Sequence, residues 1–246
     1  MNAYSALASA YDSLTYDIPY EDILQFWEAV LHREGKNPET VLDLACGTGS
    51  LSVLLAQKGY RVLASDLSEE MLTEAADKAA ELENPPYFIC QKMQELALPQ
   101  KVDWIVCCLD GVNYLTDPED CKETFRRCFD ALTPGGMLTF DMNSAYKLRG
   151  LDGQVWLDEN EDAYCVWRTE FDEDENICYY GIDLFCREGD AWYRETEEHR
   201  QYAYEAEELA QYLKAAGFVN IRLYGDLTAD APKEDTQRIF IAAIKE

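Results

Sequence analysis

The sequence is poor in histidine and in basic residues. Only His32 and His199 occur, and the nine cysteines include no C-x-x-C pair, so no metal site with zinc-ligand spacing can be read from the chain. Lysine and arginine together number 21 against 48 aspartates and glutamates, a formal net charge of −27. Such a charge repels phosphate backbones, and no Lys/Arg cluster interrupts it, so nucleic acid is disfavoured as a partner. No apolar run approaches the roughly 18 residues of a membrane span, and Met1-Asn2-Ala3-Tyr4-Ser5 lacks a basic region followed by an apolar core. A cytoplasmic protein with no membrane partner is expected. Cysteines scattered through apolar runs, among them Cys90, Cys107 and Cys108, read as reduced core residues.

What is present excludes disorder: 48% of the 246 residues are hydrophobic and 12% aromatic. The length suits one large α/β domain, or a domain with an insertion. The most informative stretch is Val41-Leu42-Asp43-Leu44-Ala45-Cys46-Gly47-Thr48-Gly49-Ser50-Leu51. An apolar strand carrying an acid runs into a small-residue turn and restarts at Ser50 as a helix. Glycines let a backbone approach a ligand closely. A dinucleotide fingerprint would read G-x-G-x-x-G; here an acid precedes the glycines and the third Gly is missing, so that reading fits poorly. A second short strand, Arg61 to Asp66, also ends in an acid, and Ser68, Glu69 and Glu70 open the next helix. A carboxylate at that strand end can accept from both hydroxyls of a ribose. It can also serve the helix start, in competition with Ser68.

Further on, Tyr87 to Cys90 reads as a third strand. Val102 to Cys108 is a nearly continuous apolar run, as in a parallel sheet covered on both faces. Leu132-Thr133-Pro134-Gly135-Gly136-Met137-Leu138 joins a helix end to a fifth strand. These motifs, in this order, closely resemble class I S-adenosylmethionine (SAM) dependent methyltransferases: motif I at Asp43, Gly47 and Gly49, the strand-two acid Asp66, and the L-x-P-G-G-x-L pattern. The resemblance covers about residues 38–144 and resumes near 205. It implies a seven-stranded, mostly parallel Rossmann-like sheet with a reversed last strand, SAM as cofactor and S-adenosylhomocysteine as product. Ala45 stands where many members have Gly, a departure read here as requiring only a small residue.

The same resemblance divides the chain into an N-terminal helical lid (1–37), a SAM-binding core (38–150 and 205–246) and an inserted antiparallel β-meander (151–204), as in small-molecule N-methyltransferases. It places Asp43 near the charged methionine end, Asp66 on the ribose, and Met93, Gln94 and Glu95 beside the adenine. Ala45, Gly47, Gly49, Leu67, Met71, Cys108 and Tyr20 complete the expected cofactor contacts. On the acceptor side stand Asp110, Asn113, Tyr11 and His199. For each a plainer role stays open: Asp110 and Asn113 as turn residues, Tyr11 and Tyr20 as packing aromatics, His199 as a structural strand residue. Residues 152–175 hold ten acids against the single base Arg168, which reads as a solvated face or an attractor of cations.

A methyl on a sulfonium needs a positioned nucleophile more than an activated residue, and a neutral amine is the easiest acceptor. The expectation is a transfer to a small molecule, an amine in the first instance. The alternatives are a methyltransferase acting on tRNA or protein, and a SAM-binding regulatory module without turnover. A homodimer through the meander is one arrangement; an edge strand blunted by charge is the other.

Overall fold

The computed structural model describes residues 7–246, so the first six residues of the expected lid lie outside the described residues. Two helices, α1 (Ala8–Leu14) and α2 (Tyr20–Arg33), precede the alternating core. The core runs β1 (Thr40–Leu44), α3 (Ser50–Gln57), β2 (Arg61–Asp66), α4 (Glu69–Ala79), β3 (Tyr87–Cys90), β4 (Val102–Cys107), α5 (Pro118–Ala131) and β5 (Leu132–Asn143). A short α6 (Ala145–Gly150) leads into the antiparallel strands β6 (Val155–Glu159), β7 (Ala163–Asp172), β8 (Ile177–Glu188) and β9 (Ala191–Tyr202). Helix α7 (Ala206–Ala216) and strands β10 (Val219–Gly225) and β11 (Arg238–Ile244) close the chain.

Local chemistry sets the helix starts. Ser68 accepts from the Met71 amide at 3.1 Å to cap α4, and Asp117 caps α5 just ahead of Pro118, whose fixed φ suits the first turn. Gly217 ends α7 in the left-handed conformation at φ +106°.

The core strands form a seven-stranded sheet in the order β10-β11-β5-β4-β1-β2-β3. Only β11 is reversed, pairing antiparallel with both β5 and β10, as the sequence predicted. Alternation along the strands sends side chains to two cores. Val41, Trp104 and Val106 meet Trp27 of α2 and Leu51 of α3 on one face. Leu42, Ile105 and Cys107 meet Phe125 of α5 and Leu209 of α7 on the other. Burying each large side chain contributes about 1.5–3 kcal/mol. Trp104 is wholly buried, and its indole N–H donates to Thr139 Oγ at 2.8 Å on the neighbouring strand.

The meander is a separate four-stranded sheet, β6-β7-β8-β9. The sequence reading found its three long strands and missed β6, a short Val-Trp-Leu run that ends in two acids inside the acidic stretch. Helix α6 was also missed, six residues directly after a strand. The lid is tied to the meander, since Leu7, Ala10 and Leu14 pack on Cys165, Ile182 and Leu184.

At the other edge of the sheet from the site, one carboxylate binds three segments. Asp103 accepts from the amides of Glu39 and Thr40 at 3.1 and 3.0 Å, from Thr40 Oγ at 2.7 Å and from Thr133 Oγ at 3.1 Å. Partial burial pushes its carboxyl up, but the Thr40 hydrogen bonds outweigh that and hold it below the ordinary carboxylate range. The folded pKa therefore lies below the unfolded value of about 3.9, so the stabilisation is present at neutral pH and is lost as pH falls through the folded value. Asp103→Ala should unfold about 2 kcal/mol more easily in urea at pH 7, with the difference shrinking below about pH 4; a difference constant with pH would contradict this.

Candidate functional site

Parallel strands end together at their carboxyl edge, and the loops beyond them form the natural ligand crevice. Here the β1–α3 loop, the β2–α4 turn and the segment after β4 enclose a cavity of about 290 Å³. The loop bends through left-handed conformations at Ala45 (φ +60°), Gly47 (φ +53°) and Gly49 (φ +72°). Ala45 thus does more than stay small, because an L residue in that region costs roughly 1–2 kcal/mol. A Cβ on Gly47 would meet no atom within 4 Å, so that position opens to space a ligand can fill. Gly49 is different. It does not line the cavity, and a Cβ there would sit 2.8 Å from Ala75 Cβ, so its bareness lets α4 pack against the start of α3.

Asp66 Oδ2 accepts from the Gly47 amide at 2.8 Å and Oδ1 from the Ser68 amide at 3.0 Å, stapling the two loops together. Burial pushes its carboxyl up, against those backbone donors. Asp43 is buried at 2% exposure and accepts from Ser52 Oγ at 2.5 Å; burial lifts its carboxyl to about 7. Both acids line the cavity with Ala45 and Gly47, as do Leu67, Met71, Met93, Gln94 and Cys108. Tyr11 and Tyr20 close it from the lid side, and burial raises both phenols.

Two cavity-lining polar groups that the sequence did not single out are Ser65 and Gln91. Ser65 Oγ and Gln91 Nε2 are buried and have no hydrogen-bond partner among the described residues. An orphaned hydroxyl and amide in a cavity await a polar ligand. Gln91 opens the stretch expected beside the adenine; the Gln94 amide instead donates to Asp120 at 3.0 Å. With two acids, an open glycine and these orphans, the residues present fit SAM: Asp43 for the cationic end, Asp66 for the ribose, Gln91 for a polar edge of the base.

The lid is latched over this loop. Asp12 of α1 accepts from Thr48 Oγ at 2.6 Å and pairs with Lys78 of α4 at 2.5 Å, while Lys78 also donates to Ser50 Oγ at 2.7 Å.

The expected acceptor residues fall into separate networks. Leu109 and Asp110 are both left-handed, at φ +60° and +57°, and their amides converge on the Asp141 carboxylate at 2.8 and 3.2 Å. Successive amides in such a turn form an anion-binding nest, filled here by the protein's own carboxylate. Arg238 pairs with Asp141 and, at 2.8 Å, with Asp110; Gln201 Nε2 donates to Asp110 at 2.5 Å. Burial pushes the Asp141 carboxyl up, with the Arg238 charge opposing. Asp110 therefore stands behind the cavity wall.

Asn113 is wholly buried, donating to the Asn143 and Tyr202 carbonyls at 3.1 and 3.0 Å and accepting from the Asn143 amide at 3.0 Å, a clamp between β5 and β9. His199 is 2% exposed and lies outside the cavity lining; it contacts Tyr114, a lining residue that the sequence reading did not select, at 3.2 Å.

Burial lifts the Asp43 carboxyl to about 7, and a ligand cation placed beside it would favour the ionised form and expel the proton held at lower pH. SAM affinity should rise up to tenfold per pH unit below pH 7 and level off above it. Calorimetry in buffers of different ionisation enthalpy should show proton release at pH 6, absent in Asp43→Asn; pH-independent binding would contradict this assignment.

Comparison with known proteins agrees with the geometry. The family described as "Methyltransferase domain" matches residues 41–136. The Bacillus subtilis (strain 168) protein YqeM is 36% identical over 244 residues, covering 98% of this chain and 97% of its own. The crystal structure of a S-adenosylmethionine-dependent methyltransferase from Clostridium acetobutylicum ATCC 824 superposes with a TM-score of 0.88 at 32% identity, over 99% of each chain. The sugar N-methyltransferase KedS8 from Streptoalloteichus shares the fold at a TM-score of 0.78 and 18% identity, over 100% of this chain and 97% of its own. The chain belongs to the class I SAM-dependent methyltransferases.

Proposed function

We propose that this enzyme moves the SAM methyl to a small-molecule acceptor, an amine in the first instance, by in-line displacement. The observation that carries the reading is the cover that the lid places over the donor cavity. Tyr11 and Tyr20 cover it from the lid, α1 is latched to the motif I loop through Asp12, and the same helix packs on the meander. Such a cover suits a metabolite that enters when the lid parts better than a nucleic acid or a folded protein surface. The net charge of −27 favours a cationic or neutral acceptor over an anionic one. The fold shared with the sugar N-methyltransferase KedS8 over the whole of this chain is compatible with this class of acceptor.

When bound, SAM supplies a methyl on a positively charged sulfur, which leaves as a neutral thioether. The chain's own contribution is mainly placement, because holding nucleophile and methyl in line replaces a bimolecular encounter. Asp43 and Asp66 fix the donor, and the lid tyrosines exclude water from the reacting centre. The acceptor is held between lid and meander.

The reading is tested by transfer of a trideuteromethyl group from labelled SAM into separated metabolite, RNA and protein fractions of a cell extract, with Asp66→Ala as the control. Label on nitrogen of a metabolite is the expected result. Label confined to RNA or protein would overturn it, and tight SAM binding without any label would point to a regulatory module.

A further inference from the structure

A buried acid, an imidazole and a phenol form a continuous chain that ends at the cavity. Glu197 and His199 lie two residues apart on β9, where alternation puts both on one face of the strand. Both are nearly sealed from water, at 8% and 2% exposure. Glu197 Oε2 lies 2.8 Å from His199 Nε2, and His199 Nδ1 lies 3.2 Å from the Tyr114 hydroxyl. Tyr114, in the turn after β4, lines the donor cavity. The other Glu197 oxygen accepts from the Leu7 amide at 3.0 Å, which ties the chain's far end to the lid.

The direction of the hydrogen bonds follows from what each group can do. A carboxylate only accepts, so Nε2 carries the ring proton and donates to Glu197, which leaves the Nδ1 lone pair to accept from the Tyr114 hydroxyl. An imidazole oriented by a carboxylate and facing a hydroxyl is the arrangement that draws a proton off that hydroxyl.

We propose that Tyr114 is the catalytic base of this enzyme, with Glu197 and His199 as positioning residues that take up its proton. The proposal rests on the small-molecule acceptor reading and narrows it to acceptors whose reacting atom still carries a removable proton on arrival, an ammonium under that reading. The acceptor passes its proton to the Tyr114 oxygen while the phenol proton moves to His199 Nδ1, giving an imidazolium paired with Glu197. The freed lone pair forms the bond to the methyl carbon, and the carbon–sulfur pair stays on sulfur as the neutral thioether. One proton is left on His199, to be released to solvent after the lid opens. Among the described groups, Tyr11 from α1 and Tyr180 on β8 interact electrostatically with Tyr114 and Asp110, and Cys165 on β7 with Glu197, while Arg238 pairs with Asp110 at 2.8 Å.

The test uses trideuteromethyl transfer into the metabolite fraction by wild type, Tyr114→Phe and His199→Gln, across pH 6 to 9.5, with SAM affinity measured in parallel. Tyr114→Phe should lose at least about 100-fold in rate at pH 7 and regain it progressively as the acceptor deprotonates on its own, with SAM affinity within about twofold of wild type. A loss under threefold, or one equal at every pH, would overturn the proposal. A second readout does not need an acceptor. Because the chain holds only two histidines, a ¹⁵N-histidine spectrum of the SAM-bound protein, with His32→Gln for assignment, reports His199 alone. Nε2 protonated, with an Nδ1 shift that moves in Tyr114→Phe, supports the relay; a protonated Nδ1, or no change in Tyr114→Phe, contradicts it. If wild type labels no metabolite, the acceptor reading fails while the ¹⁵N spectrum still decides the relay.

Discussion

The site depends on one half-buried carboxylate bonded to two backbone amides. Asp66 ends β2 and reaches both the motif I loop, through Gly47, and the start of α4, through Ser68. Without an acceptor of that charge, two amide donors at the mouth of a partly apolar cavity would be left unpaired, at about 1–3 kcal/mol each. The parallel sheet brings the strand ends to one edge; Asp66 then decides how the loops beyond them lie. A carboxylate retains lone pairs after two such bonds, so the group that shapes the cavity can also face a ligand.

A second carboxylate performs the same task across the crevice. Asp141 draws the Leu109 and Asp110 amides into a left-handed turn that two L residues would otherwise avoid, and Arg238 from the reversed strand compensates its charge. The turn sets the path of the chain toward Tyr114 and the meander. The Leu109–Asp110 turn thus hangs on β11, the strand of the seven-stranded sheet that runs against the others. That gives the reversed strand a consequence for the site as well as for the sheet.

Motif positions were legible in the sequence because their chemistry is local. A strand acid, a small-residue turn and a helix start at Ser50 follow from a dozen consecutive residues, and a mostly parallel sheet follows from alternating strands and helices. The left-handed requirement at Ala45 was not legible, since composition reports size and not φ. Gly49 was read as a cofactor contact, whereas its close neighbour is Ala75, and no local pattern reveals a helix crossing. Asp110 and Asn113 stood at the right loop, but their partners Arg238, Gln201 and Asn143 come from distant segments. His199 illustrates the same limit: the strand pattern placed it beside Glu197, while only tertiary structure puts Tyr114 between it and the cavity.

The measurement that tests the central claim most directly is the affinity of SAM for wild type and Asp66→Asn by calorimetry, with NADH as competitor. The account predicts SAM binding that weakens about 100-fold in the variant, the loss of roughly two hydrogen bonds to a charged group, and no displacement by NADH. An Asp66→Asn protein that binds SAM as wild type does, or a wild type that takes NADH in place of SAM, would contradict it.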